Sequence, residues 1–161
     1  MEKSPDAELL GSIRTVIRLA RIVQQACEEA GLTLAQYRAL NSAVNGEQRA
    51  YELARYTAVS RPAVSALTNG MVRAGLIERS DAARDGRGVL FSITQHGVDT
   101  LRGAEDLLVE RIKDVLGETG DALGAFRALR VDEIEAALDA QADKDFGPAG
   151  RRAWAGRAKN G

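Results

Sequence analysis

Leu53–Thr94, LARYTAVSRPAVSALTNGMVRAGLIERSDAARDGRGVLFSIT, reads as helix, three-residue turn, helix, strand, glycine-bearing loop and strand. That order predicts a winged helix-turn-helix, a module that lays one helix in a groove of double-stranded DNA. The second helix is expected to start at Ser60, whose hydroxyl can cap it. Arg61 and Pro62 follow in the first turn, where proline sacrifices no hydrogen bond. Val64, Leu67, Met71 and Val72 recur at three- and four-residue spacing, an apolar stripe expected to pack on Leu53, Ala54 and Val59. Arg61, Ser65, Thr68 and Asn69 fall opposite and form the expected DNA face; arginine can read guanine with two hydrogen bonds, whereas Ser and Thr discriminate less.

Gly75 suits the left-handed stop of that helix, and Leu76-Ile77-Glu78-Arg79 predicts a short strand. The charged, turn-rich run 80–88 and the returning strand Val89–Ile93 complete a β-hairpin wing whose tip carries Arg84 and Arg87. An arginine on a thin hairpin beside such a helix is suited to a minor groove, where the phosphate field is concentrated. Asp85 is placed to hold the Arg87 guanidinium in register.

Val59-Ser60-Arg61-Pro62-Ala63-Val64-Ser65, Gly75-Leu76-Ile77-Glu78-Arg79, Asp85-Gly86-Arg87 and Ile93-Thr94-Gln95-His96-Gly97 together resemble the MarR family of bacterial transcriptional regulators. The resemblance rests on the order and spacing of these signals, including an Asp-x-Arg wing and a Thr-x-x-Gly entry into a long helix. It implies a homodimeric repressor or activator that binds a pseudo-palindromic site and is released by a small aromatic or phenolic effector. Ala66 and Gly70 stand where the family usually has basic residues, which shifts the expected weight of DNA contact to Arg61 and the wing.

The net charge of −1 conceals a segregation that agrees with a DNA partner. Between Arg55 and Gln95 six Arg oppose three acids, whereas between Ala104 and Phe146 twelve acids oppose five bases. A basic module between acidic segments would orient the protein on a duplex with the acidic helices facing away. Arg55 and Arg49 lie near where flanking phosphates would pass. One Cys and one His exclude a disulfide framework and make a protein-only metal cage improbable, so no cofactor and no metal are expected. No nucleophile–base pair or phosphate loop is present, and an enzyme is not expected. The start has no hydrophobic signal core and no apolar run is long enough to span a bilayer, so a cytoplasmic protein is expected.

Few aromatics and many Ala, Leu, Arg and Glu predict a mostly α fold with a small β wing. Asp6 to Ala30 reads as one long helix, with an apolar stripe from Leu9 to Ala30 and Gly31 as its stop. Thr33 caps a second helix that ends near Asn45-Gly46, Glu47–Ala50 is a short strand or loop, and Tyr51–Thr57 is the first helix of the helix-turn-helix. No hydroxyl cap precedes that helix. Thr94 caps a helix to about Leu116, and after three interrupting glycines a final helical segment, broken near 130–132, runs to about Ala142.

The expected organisation is therefore a helical dimerisation region from residues 1–32 and 95–146, a winged helix-turn-helix over 33–94, and a basic tail over 147–161. The tail, with Trp154 among its arginines, is read as a solvated terminus, the alternative being an arm that reaches DNA or folds onto the acidic helices. Arg14 or Arg18 with Tyr37, Tyr51 and Tyr56 are candidate ligand-binding residues, an arginine pairing the carboxylate of an aromatic acid. Cys27 is flanked by Glu28 and Glu29 and sits in an apolar stripe, which favours a buried structural thiol over a redox sensor. The competing function is a winged-helix protein-interaction module with weak or no DNA binding, for which Ala66 and Gly70 speak and the wing arginines do not.

Overall fold

The computed structural model describes residues 6–57, 61–80 and 89–146. The first helix, α1 (Ala7–Glu29), begins on Asp6, whose carboxylate accepts the Leu9 N–H at 3.0 Å, an anion on unpaired first-turn amides. It ends where Gly31 takes φ 78° and the Leu32 N–H turns back to the Cys27 carbonyl at 2.9 Å.

A reciprocal box opens α2 (Leu34–Ala43). The Thr33 hydroxyl accepts the Gln36 N–H at 3.2 Å, and the Gln36 side chain accepts the Thr33 N–H at 2.8 Å. After β1 (Gln48–Arg49), α3 (Ala50–Thr57) starts without a hydroxyl. Instead the Glu52 carboxylate reaches back to accept the Arg49 N–H at 2.6 Å, so half of such a box suffices.

Next come α4 (Arg61–Arg73), β2 (Ile77–Ser80), β3 (Leu90–Ile93), α5 (Gln95–Leu116), α6 (Asp121–Arg127) and α7 (Val131–Phe146). The expected mostly helical fold with a small β component is what the chain adopts. The strands form one antiparallel sheet in the order β1-β3-β2; Phe91 stands opposite both Gln48 and Arg79, and Ile93 opposite Ile77.

Thr94 joins three elements at one corner. Its hydroxyl caps α5 by accepting the Gly97 N–H at 3.0 Å and donates to the Gly75 carbonyl at 2.6 Å, while its own N–H donates to the Leu76 carbonyl at 3.1 Å. The end of α4, the sheet and the start of α5 are thereby held together.

The core gathers Cys27 from α1, Leu32, Ala39 and Leu40 from α2 and its approach, Leu53 from α3, Met71 from α4, Leu76, Ile77 and Phe91 from the sheet region, and Leu101 and Ala104 from α5. This core takes only the C-terminal part of α1. Leu9, Ile13, Val16 and Ile17 on α1 and Val131, Ile134 and Leu138 on α7 remain between 44% and 65% exposed. Their helical spacing makes two apolar stripes that the described residues of this chain leave largely uncovered.

Candidate nucleic-acid interface

The stripe of α4 lies inward at Val64 and Met71 as expected, with Leu67 half-buried against the core, but it takes in Thr68 in place of Val72. Val64, Thr68 and Met71 are buried, whereas Val72 is 37% exposed. Met71 and Val72 are neighbours in sequence and so stand about 100° apart around the helix, and only one can face the core. With Met71 inward, the residue three positions earlier is Thr68, which is 3% exposed. Its hydroxyl is satisfied locally, donating to the Val64 carbonyl at 3.0 Å, which lets a polar side chain occupy a core position. Thr68 therefore does not belong to the open face, and its assignment to DNA contact is corrected.

The face opposite the buried stripe is Pro62, Ala66, Asn69 and Arg73, at spacings of four, three and four, with Ser65 beside it; all five are exposed. Arg73 is the residue the sequence reading missed. Its signal was available, because it continues the Pro62-Ala66-Asn69 row once Thr68 is assigned to the core. Gly70 borders this face, and a β-carbon there would meet nothing within 4 Å.

Of the other candidates, Ser60, Arg84 and Arg87 lie outside the described residues, and Arg61 is described only as the first residue of α4. Arg55 is engaged within the chain, its Nη2 lying 3.2 Å from the Asp139 carboxylate and donating to the Asp139 carbonyl at 3.1 Å.

The ligand-binding candidates are spread along the molecule. Arg14 and Arg18 are exposed on the outer part of α1, about 20 Å and 13 Å along the helix axis from Cys27. Tyr37, half-buried, lies near Cys27: burial pushes its phenol upward, with Glu105 and Cys27 adding to the effect. Tyr51 on α3 approaches the Glu52 carboxylate at 3.4 Å. Cys27 itself is fully buried, and burial pushes its thiol up against the opposing pull of Arg38, with Glu28 raising it further. His96 is exposed in the first turn of α5. Among the described residues no group of three or more His, Cys, Asp or Glu is placed to hold a metal, and no helix is long and apolar enough to cross a membrane.

The model of the MarR family matches residues 30–88, from the end of α1 through the helix-turn-helix and the run between β2 and β3. Over those residues the chain is similar to the winged helix-turn-helix of the MarR family. That family is one of transcriptional regulators, and transcription regulation is the class of function the match supports. No curated protein matches the sequence.

Solved structures share the MarR-type fold over most of the chain. NadR in complex with 4-hydroxyphenylacetate superposes with a TM-score of 0.65 at 22% identity, covering 86% of this chain and 96% of its own. The transcriptional regulator BldR from Sulfolobus solfataricus gives 0.63 at 18% identity, covering 89% and 99%. BpsR from Bordetella bronchiseptica, whose DNA binding is regulated by 6-hydroxynicotinic acid, gives 0.60 at 19% identity, covering 84% and 96%. The MarR-type arrangement thus extends beyond the matched segment to the flanking helices.

Proposed function

We propose that this protein is a sequence-specific DNA-binding transcriptional regulator, a repressor that binds a pseudo-palindromic operator as a homodimer and is released by a small aromatic or phenolic ligand. The observation that carries the proposal is the mounting of α4. Val64, Thr68 and Met71 anchor the helix to the core, and Ser65, Asn69 and Arg73 are turned to the outside. A helix rigidly held on one side with a polar, basic opposite side is what major-groove reading requires.

Two copies supply the rest of the geometry. The open stripes on α1 and α7 would be covered by their counterparts in a second subunit, giving a dimerisation region from residues 1–32 and 95–146. The winged segment 33–94 would then project as a pair, with recognition helices about 34 Å apart on successive major-groove faces. Arg84 and Arg87 are assigned to the adjacent minor grooves, and Ser60, Arg61 and Ser65 to the operator edge of α4. The reading requires the compartment where DNA resides, the cytoplasm.

An effector site between the helical region and the winged segment would change the spacing of the two recognition helices. Support for an aromatic acid as effector comes from the hydroxylated aromatic acids named with NadR and BpsR. In this chain Tyr37 and Tyr51, with Arg14 or Arg18 supplied from either subunit, are the residues assigned to it.

The test is a mobility-shift titration with duplex from the promoter region of the protein's own gene, comparing wild type with Arg61→Ala and Arg87→Ala. Wild-type binding that weakens steeply with salt, and loss of affinity in both variants, is the expected result. Wild type that binds no duplex would favour a protein-interaction module instead. A thermal-shift screen with phenolic acids then addresses the effector.

A further inference from the structure

Arg55, in the last turn of α3, is tied to α7 across 84 residues of sequence. The guanidinium meets two acceptors on one residue, the Asp139 carboxylate at 3.2 Å and the Asp139 backbone carbonyl at 3.1 Å. Every α7 residue from Val131 to Gln141 is exposed, so along that run α7 meets the helix-turn-helix at an ion pair and adds nothing to the core. Its apolar residues Val131, Ile134 and Leu138 and its acids Asp132, Glu135 and Asp139 each repeat at three- and four-residue spacing, forming neighbouring stripes on one helix. One stripe is available to a second subunit, and Asp139 on the other meets Arg55.

The pair of oxygens offered to Arg55 reproduces what a phosphodiester offers an arginine, one charged acceptor and a second oxygen beside it. The pair is also accessible, with the arginine side chain 22% and the aspartate side chain 53% exposed. An ion pair in contact with water is weak enough to be exchanged for another anion.

We infer that α7 is an acidic strap that holds Arg55 in the absence of DNA and surrenders it to a backbone phosphate on binding. The strap makes DNA affinity lower than the basic surface alone would give. It also couples the position of a helix assigned to the dimer interface to the first helix of the helix-turn-helix. The inference rests on the DNA-binding reading above.

The test uses the full chain and a random-sequence duplex, with affinity measured over a series of salt concentrations. Asp139→Ala is expected to bind about three- to tenfold tighter than wild type, with a salt dependence steeper by about 0.9 in the logarithmic slope, one added phosphate contact. Glu135→Ala makes the same change in net charge one turn away on an exposed position and is expected to shift affinity by less than about twofold, since an exposed charge with no ion-pair partner among the described residues contributes little. In an Arg55→Ala background, Asp139→Ala is expected to have no effect.

An Asp139→Ala effect no larger than that of Glu135→Ala, or one that survives without Arg55, overturns the strap. If wild type binds DNA and Asp139→Ala does not differ from it, only the strap fails. If neither protein binds any duplex at low salt, the DNA-binding reading fails and the strap with it.

Discussion

Gly97 lies against Leu76 so closely that a β-carbon on residue 97 would overlap the Leu76 carbonyl oxygen and fall 2.9 Å from Cγ1 of Ile93. The oxygen it would strike is backbone, fixed by the Thr94 N–H at 3.1 Å, and it has no rotamer by which to move. The Thr-x-x-Gly pattern is thus two halves of one joint: Thr94 supplies the bonds and Gly97 the clearance. Gly97→Ala is expected to cost about 2–3 kcal/mol, at the upper end of what overpacking costs. Urea unfolding monitored by helicity checks it, and a midpoint equal to wild type would show that the joint gives way freely.

Gly70 is the opposite case. It lies within α4, and an added methyl would meet nothing within 4 Å. Gly70→Ala should therefore recover the helix propensity that glycine forgoes, raising stability by about 0.5–1 kcal/mol. Thermal unfolding reads this as a higher Tm, and a lower one would mean that the helix needs glycine's freedom at that point.

The burial of Thr68 separates residues the linear pattern groups together. Thr68→Val should leave DNA affinity unchanged, because the Thr68 side chain is inside and its hydroxyl is spent on the Val64 carbonyl. Arg73→Ala should weaken binding and flatten the logarithmic salt dependence by about 0.9, as expected for loss of one phosphate contact. A Thr68 variant with altered base preference at unchanged stability would restore that residue to the interface.

A buried thiol and a half-buried phenol give the fold an alkaline limit. The Cys27 thiol is raised above its ordinary value of 9.0 and the Tyr37 phenol above 10.0, in both cases chiefly by burial. Above those values the native chain keeps protons that the unfolded chain releases, so unfolding becomes progressively easier as pH rises. Their contribution is fully present below pH 9.0 and is lost as pH climbs through the folded-state values. Urea midpoints at a series of pH values should fall beyond that point, and Cys27→Ala should reduce the dependence. The native thiol should also react slowly with thiol reagents, since burial disfavours the thiolate.

Local signals in the sequence located the element boundaries well where a single side chain ends or starts a helix. Asp6, Thr33 and Thr94 accept first-turn amides, and Gly31 and Gly75 take the positive φ of a helix stop. The start of α3 was harder to see because its cap is a carboxylate three residues inside the helix, Glu52, rather than a hydroxyl before it. The open face of α4 was read with Thr68 in it and Arg73 left out, because Leu67 and Val72 look more apolar than Thr68 and the linear pattern weighs side chains, not the contacts that satisfy them.

What the sequence by itself determined is the set of elements and their stops, the segregation of basic and acidic runs, and the Thr94 cap of α5, since capping, helical period and backbone freedom act over a few residues. What only the tertiary structure decided is that the core accepts Thr68 rather than Val72 beside Val64 and Met71, and that Arg55 meets Asp139. The first depends on how Val64 and Met71 seat among α2, α3 and the sheet, and on a hydroxyl bonding within its own helix. The second joins residues 84 positions apart, a distance over which neither periodicity nor charge count carries information and only the packed chain can bring the groups together.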